Sequence, residues 1–138
     1  SLDKNIVRFS VSFVGHSLID RRGISHAIRL AVGRALKKFE AKPEECMVLL
    51  DGTLKAPKKF IFQKTIIGGD DIEPLISMAS IVAKVKRDRK MLRLSKLYPK
   101  YGFAKHKGYG TAEHYKRLKK FGPCEIHRRS FIKNLLTH

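Results

Sequence analysis

Residues 66–92 read IIGGDDIEPLISMASIVAKVKRDRKML, and this stretch decides how the rest of the chain is interpreted. An apolar strand is predicted to end at the glycine pair 68–69, because glycine turns the backbone at little steric cost. Asp70 or Asp71 is expected to accept hydrogen bonds from the first free amides of the helix that follows. Pro74 suits the first turn of that helix, where its missing amide would have no partner. The stretch therefore predicts a strand that turns sharply into a long helix.

Small residues mark the face of this helix that is expected to lie close to a sheet. They are Ser77, Ala79, Ser80 and Ala83, set among Leu75, Ile76, Met78 and Val82. The far end of the helix is basic, with Lys84, Lys86, Arg87, Arg89 and Lys90 around Asp88. A strand that ends in a carboxylate and a helix with a cationic end together favour a place where a metal ion meets a phosphate.

The charge of the chain indicates a polyanionic partner. Thirty Lys and Arg face twelve Asp and Glu in 138 residues, a formal net charge of +18 spread from Lys4 to Lys133. Nucleic acid is the simplest such partner, because each neutralised phosphate releases counterions. The alternative is a basic surface that only keeps the protein soluble. At 15.8 kDa the chain has room for one domain or a large piece of one.

Other composition signals are negative. Cys46 and Cys124 stand far apart, without the spacing of a zinc site or a disulfide framework. No run of eighteen apolar residues and no signal-peptide pattern occurs, so neither a membrane nor export is expected. A reducing cytoplasm fits best. No protein partner is evident from the sequence. The first residue is Ser and a strand pattern follows almost at once. The chain is therefore expected to begin within a longer protein.

Hydrophobic periodicity predicts the order strand, helix, strand, strand, helix. Residues 6–14 alternate apolar and polar, as a half-buried strand does. Residues 24–40 fit an amphipathic helix, and 46–52 and 61–67 are short apolar strands, the first of them covered on both faces. After Leu97, glycine and proline predict a loop.

The last third of the chain is expected to follow that loop with a short helix. Thr111 is predicted to cap a helix over 112–121, and Gly122 to end it. The segment 19–23 reads as a turn. The histidines His106, His114, His127 and His138 have no ligand spacing, so solvated or phosphate-adjacent side chains are expected.

Two carboxylates form the candidate metal site. Asp51 ends one predicted strand and Asp70 follows the next, so neighbouring strands would bring both to one sheet margin, where a divalent cation takes oxygen ligands. Alternatively, Asp51 starts a common turn and Asp70 with Glu73 makes a capping box. Asp88 is expected to form a surface ion pair with Lys84.

Tyr109 is the candidate nucleic-acid contact, because it stands between two glycines in a basic loop and could stack on a sugar or base. Packing within the protein is the alternative. The sequence around Tyr109 does not decide between a nucleic-acid contact and packing within the protein.

Four motifs together resemble the carboxyl-terminal two thirds of ribonuclease HII, the type 2 ribonuclease H family. They are DG at 51–52, GGDDIEPLISMASIVAKVKRDR at 68–89, YPKYGFAKHKGYGT at 98–111 and GPCEIHRRSF at 122–131. The resemblance implies an α/β fold, an RNase H-like mixed sheet flanked by helices, in one domain over 1–138. Residues 98–138 would form a loop and helical extension that contacts substrate. The implied activity is hydrolysis, with Mg²⁺ or Mn²⁺, of RNA in RNA–DNA hybrids and of ribonucleotides embedded in DNA.

The resemblance also implies roles for particular residues. Asp51 and Asp70 match the family's third and fourth catalytic carboxylates, and Tyr109 matches the tyrosine that packs on the ribonucleotide sugar. Lys84, Arg87 and Lys107 would contact phosphates. The family usually has Lys-Gly-Asp where this chain has Gly68-Gly69-Asp70, which removes one cation beside the site.

The family's opening Asp-Glu-x-Gly-Arg-Gly motif, with its two carboxylates, does not occur in this chain. The sheet is therefore expected to lack its amino-terminal strands, and the isolated chain to leave an apolar face open. The alternatives to an active enzyme are a non-catalytic basic nucleic-acid-binding module and an inactive truncated form.

Overall fold

The computed structural model describes residues 7–136 and has the mixed helix and strand content that the sequence predicts. The strands are β1 (Val48–Asp51) and β2 (Gln63–Ile66). The helices are α1 (His16–Arg22), α2 (Ile24–Lys38), α3 (Gly69–Ile72), α4 (Pro74–Leu97), α5 (Phe103–His106), α6 (Ala112–Phe121) and α7 (Arg129–Leu136), with a 3₁₀ turn at Pro99–Tyr101. The described residues form two compact units, unit 1 with residues 7–13 and 28–83, and unit 2 with 14–27 and 84–136.

Unit 1 contains a two-stranded parallel sheet. Strand β1 pairs with β2 in a register that joins Val48 to Gln63 and Asp51 to Ile66. Both strands were predicted, but each is shorter than its apolar run. Because the strands are parallel, their carboxyl ends lie at the same margin, where Asp51 is the last residue of β1.

The core of unit 1 lies against β1. Val48 and Leu50 are buried, together with Ala56 and Phe60, and Val32 of α2 packs against this cluster. Leu49 and Asp51 on the other face of the strand are only partly covered. One face of the predicted strand is therefore buried as expected, whereas the other face is only partly covered.

The predicted strand over residues 6–14 is wrong for residues 7–14, which the structure describes without a strand; residue 6 lies outside the described part. A strand needs a neighbour to pair with its backbone groups. Here side chains of α2 take that place, since Lys38 donates to the Val11 carbonyl and Arg34 donates to that of Phe13 at 3.3 Å. Ser10 in turn donates from its hydroxyl to the Ala35 carbonyl at 3.1 Å.

Helix α4 ends at Leu97 as predicted, but its small residues do not face a sheet. Ala79, Ser80 and Ala83 are exposed, whereas Ile76 is the buried residue of the helix. Small side chains gain little by burial, and the larger Ile76 occupies the contact beside the glycine turn.

Unit 2 is built around Tyr101, Phe103, Leu118 and Ile132, all buried. The segment 98–110 was predicted to be a loop, yet its first half folds into the 3₁₀ turn and α5. Tyr101 and Phe103 enter the core from these turns, and burying two aromatic side chains offsets the cost of ordering the glycine-rich backbone.

Helix ends in unit 2 combine local and distant caps. The Thr111 hydroxyl accepts from the His114 amide at 3.2 Å, which confirms the predicted cap of α6. Residues 19–22, predicted as a turn, belong to α1, and Gly23, with φ of 83°, caps the end of that helix. Asp20 of α1 accepts from the amides of Arg129 and Ser130 at 3.0 and 3.1 Å, and so caps α7 from far along the chain.

Within residues 7–136, no helix combines the length and the apolar character that crossing a bilayer requires.

Candidate active site

The first candidate site is the corner where β2 turns into α3. Asp51 accepts a hydrogen bond through Oδ1 from the backbone amide of Gly69 at 2.9 Å. Gly68 takes a left-handed conformation, with φ of 66°, which turns the chain without steric cost. The Asp51 carboxylate is therefore held in place by the backbone of the next strand's turn.

Gly69 is required at this corner by space. A Cβ on Gly69 would lie 2.8 Å from Cδ1 of Ile76 and 3.4 Å from Oδ1 of Asp51. A contact under 3.0 Å forces a shift, which here would fall on the far end of the flexible Ile76 side chain. Gly69 thus serves the close approach of the strand end to the helix, whereas a Cβ on Gly68 would meet nothing within 4 Å.

Asp70 follows Gly69 directly and is exposed. The backbone next to Asp70 therefore lies at the corner that Asp51 occupies, and β1 and β2 are neighbours, as the prediction required. Asp70 and Asp71 do not cap the long helix, however; they lie in the separate helix α3, and the Glu73 carboxylate accepts from the amide of Leu75 at 3.4 Å at the start of α4. The break at Glu73, in extended conformation, separates the two helices.

This corner supplies few metal ligands by itself. In the part of the chain that the structure describes, no group of three or more His, Cys, Asp or Glu side chains is placed to hold a metal ion. The two carboxylates are the hard oxygen donors that Mg²⁺ and Mn²⁺ prefer. The oxygen donors of the two carboxylates suit such an ion. Two carboxylates are too few to complete its coordination, so water and phosphate would supply the other ligands.

The second candidate site surrounds Tyr109 in unit 2. The Tyr109 side chain is 51% exposed. The guanidinium of Arg87 lies 4.3 Å from the centre of the Tyr109 ring, and it also donates to the tyrosine hydroxyl. A cation over a ring face stabilises both groups and limits their rotation. Tyr109 is thus held from one side and open on another.

Arg87 pairs with Asp88 at 3.7 Å, so Asp88 does not pair with Lys84 as predicted. Neither Nε of Arg87 nor Oδ1 of Asp88 has a hydrogen-bond partner among the described residues, although both atoms are buried. Lys84 is exposed on α4, whereas Lys107 donates to the Ala104 carbonyl at 2.5 Å. Of the predicted cations, Arg87 is therefore the one placed against Tyr109.

Three histidines contradict the expectation of solvated side chains. His106, His114 and His127 are buried in unit 2, while His138 lies outside the described residues. The rings of His106 and His114 stack with their centres 4.2 Å apart, and Nε2 of His114 lies 3.1 Å from Nε2 of His127. Their sequence spacing carries no ligand pattern, and only the fold brings them together. The local signal that could have indicated burial is the aromatic and glycine-rich sequence around them.

Comparison with known proteins agrees with the geometry. The family model for ribonuclease HII matches residues 2–134. A ribonuclease HII from Caldicellulosiruptor bescii is 46% identical over 134 residues, which are 97% of this chain and 64% of that protein. The enzyme of the same name from Caldicellulosiruptor saccharolyticus is 45% identical over 96% of this chain and 63% of its own length. A ribonuclease HII from Dichelobacter nodosus is 50% identical over 82% of this chain and 58% of its own length.

The chain thus spans less than two thirds of the length of these relatives. The match nevertheless runs across nearly all of its own residues, including both candidate sites. The chain belongs to the ribonuclease HII family.

Proposed function

We propose that this chain supplies part of the active site and the nucleic-acid surface of a metal-dependent endonuclease. Its substrates would be the RNA strand of RNA–DNA hybrids and ribonucleotides embedded in DNA. Family membership supports this proposal, and the observation that carries it is the corner that holds Asp51 beside Asp70 at the end of a parallel sheet. The free Cys46 and Cys124 suit a reducing compartment, so the cytoplasm is the proposed location.

In this proposal the two carboxylates hold Mg²⁺ or Mn²⁺. A bound ion would polarise the phosphate and stabilise the charge that develops during hydrolysis. The Gly69 amide fixes one oxygen of Asp51 and leaves the other without a hydrogen bond from the described residues. Asp70, which is exposed on α3, faces no such constraint. Asp51 would therefore be the pre-oriented ligand and Asp70 the adjustable one.

Tyr109 would pack its ring on the sugar of the ribonucleotide. Arg87 supports this role because it covers one part of the ring and adds positive potential beside it. Lys84 and Lys107 would attract the phosphate backbone, which sets affinity and register but carries no information about the sugar. The tyrosine would then provide the discrimination between a ribonucleotide and DNA.

The direct test is cleavage by a chimaera. This chain is joined to the part of the Caldicellulosiruptor bescii relative that it does not cover, about a third of that protein. We expect the chimaera to cleave the RNA strand of a hybrid with Mg²⁺ or Mn²⁺ and to leave it intact with EDTA. A folded chimaera that binds the hybrid without cleaving it would favour the alternative function, a non-catalytic nucleic-acid-binding module.

That alternative draws on the charge alone. A chain with +18 can bind nucleic acid whether or not it hydrolyses it. Among residues 7–136 no three His, Cys, Asp or Glu side chains are grouped to hold a metal ion, which limits what the isolated chain can do with one.

Binding to a nucleic-acid duplex is expected to weaken steeply with salt. If the chain neutralises about six phosphates, its affinity should fall by roughly a thousandfold between 50 and 200 mM salt. Fluorescence anisotropy with a labelled hybrid, across a series of NaCl concentrations, measures the slope. An affinity that stays constant over this range would contradict a charge-driven interaction.

Replacing Tyr109 by alanine is expected to reduce selectivity for a ribonucleotide. We define the junction preference as the affinity for a DNA duplex with one ribonucleotide divided by that for the same duplex in DNA. Loss of the stacked ring should lower this ratio by about tenfold and leave affinity for DNA nearly unchanged. Tyr109→Phe, which keeps the ring, is the control and should retain the preference. Equal losses on both duplexes would show that Tyr109 serves general affinity.

A further inference from the structure

A row of hydrogen bonds runs through unit 2 from Cys124 to the backbone of Tyr109. The Cys124 amide donates to Nδ1 of His127 at 3.0 Å, and the Cys124 thiol lies 3.2 Å from the same nitrogen. Nε2 of His127 is 3.1 Å from Nε2 of His114. Nδ1 of His114 is 2.9 Å from the carbonyl oxygen of Tyr109. The buried side chains of His127 and His114 thus connect the backbone at Cys124 to that of Tyr109, the candidate sugar contact.

The direction of each bond follows from the groups at the two ends. A peptide amide only donates, so Nδ1 of His127 accepts and its proton sits on Nε2. Nε2 of His127 therefore donates to Nε2 of His114, which leaves the proton of His114 on Nδ1. A carbonyl only accepts, and Nδ1 of His114 is then the donor to Tyr109. The whole row is satisfied when both rings are neutral, in opposite tautomers.

A second set of contacts holds the other side of the same loop. The Gly108 amide donates to Nδ1 of His106 at 3.0 Å, and the Tyr109 amide donates to the His106 carbonyl at 2.9 Å. The ring of His106 stacks on that of His114. Lys107 and Gly108 have φ of 53° and 83°, so the loop takes two left-handed residues in succession. A non-glycine residue rarely adopts this conformation, and the surrounding bonds hold it in place.

The surroundings keep the two rings neutral. Burial, together with the neighbouring His114, lowers the pKa of His127 to about 4. Burial also lowers the pKa of His114. The titratable or charged groups that face the two rings are His106, Cys124, Arg129, Tyr101 and Tyr115. None of these is a carboxylate, the group that would stabilise an imidazolium at pH 7. An added proton on Nε2 of His114 would set two N–H groups against each other at the His114–His127 contact. An added proton on Nδ1 of His127 would do the same at the Cys124 amide.

We propose that His114 and His127 are positioning residues, which hold the Tyr109 carbonyl and thereby aim the tyrosine ring at the ribonucleotide. The step from carbonyl to substrate rests on the proposed function of Tyr109. The thiol and amide of Cys124 set the tautomer at the far end of the row. Simple packing of the core would need the same volume at these positions but no particular hydrogen-bond direction.

Histidine NMR tests the row without any substrate. In the ¹⁵N-labelled 138-residue chain at pH 7, we expect His114 protonated on Nδ1 and His127 on Nε2. Tyr109→Ala should leave both tautomers unchanged, because the backbone carbonyl remains. Opposite tautomers, or a charged His114 at pH 7, would overturn the proposed row.

Two variants at His114 test the step to substrate, with binding measured at nanomolar protein. Asparagine places an amide nitrogen where Nδ1 stands and should keep most of the junction preference. Leucine keeps the volume without a donor and should lower the preference by about fivefold, the effect of one net hydrogen bond, with affinity for plain DNA unchanged. In a Tyr109→Ala background, His114→Leu should add no further loss.

The outcomes separate the two proposals. Full junction preference in His114→Leu, or an equal loss in His114→Asn and His114→Leu, would overturn the positioning role. If Tyr109→Ala itself leaves the preference intact, the proposed function of Tyr109 fails and the link to substrate fails with it. The tautomers measured by NMR would still decide whether the row exists.

Discussion

Asparagine at position 51 is expected to lower metal-dependent cleavage by at least about a hundredfold in the chimaera, and asparagine at position 70 to do the same. The amide offers a metal ion a neutral oxygen in place of a charged one. At position 51 the side-chain oxygen can still accept from the Gly69 amide, the bond that Oδ1 of Asp51 makes at 2.9 Å. The substitution therefore removes the charge and keeps the local fold.

Asp71→Asn is the matched control, because Asp71 is exposed and lies in the same short helix as Asp70. It removes the same charge one position away and should leave the rate within about twofold, as surface changes usually do. Initial rates with Mg²⁺ and with Mn²⁺ are compared, and thermal unfolding shows that each variant is folded. A strong loss in Asp71→Asn with normal activity in Asp70→Asn would show that the ligand was assigned to the wrong carboxylate.

The Asp51 corner could be predicted because its signals are local. Two short apolar runs, each stopped by glycine and aspartate, are enough to place Asp51 and Asp70 at one margin once the strands are parallel. The capping of the long helix was predicted wrongly, because Asp70 and Asp71 lie in the separate helix α3. The break at Glu73 has a local cause that the prediction overlooked, because the residue before a proline is disfavoured in the helical conformation and Pro74 follows Glu73.

Contacts between distant segments could not be read from the sequence. Asp20 caps α7 across 109 residues, and no local pattern links the two. The histidine row joins positions 114 and 127 with a loop at 109, and histidine is intermediate in burial by type, so its residue identity does not predict these contacts. Residues 7–14 alternate as a strand does, but whether such a segment pairs depends on a neighbour that its own sequence does not specify.

The isolated 138-residue chain is expected to self-associate through an apolar stripe on α4. Leu75, Met78 and Val82 recur at helical spacing with Ile81 beside them, and Leu75 and Ile81 are 58% and 60% exposed. Ile67 and Ile72, near the start of this stripe in the chain, are 85% and 68% exposed. Apolar surface of this extent favours association, which a charge of +18 opposes only in part. Sedimentation velocity at increasing protein concentration measures the effect.

The double substitution Leu75→Glu and Ile81→Glu should shift the chain toward monomer. Ser80→Glu with Ala83→Glu is the control, because both residues are exposed on the other side of α4 and the change in net charge is the same. In the chimaera, the added segment should suppress association without any substitution if it covers the stripe. The chain alone should not cleave a hybrid, because two carboxylates are too few to hold the metal ion firmly. A monodisperse monomer that cleaves RNA in a hybrid with Mg²⁺ would contradict both expectations and would direct the search for further ligands to Asp71 and Glu73.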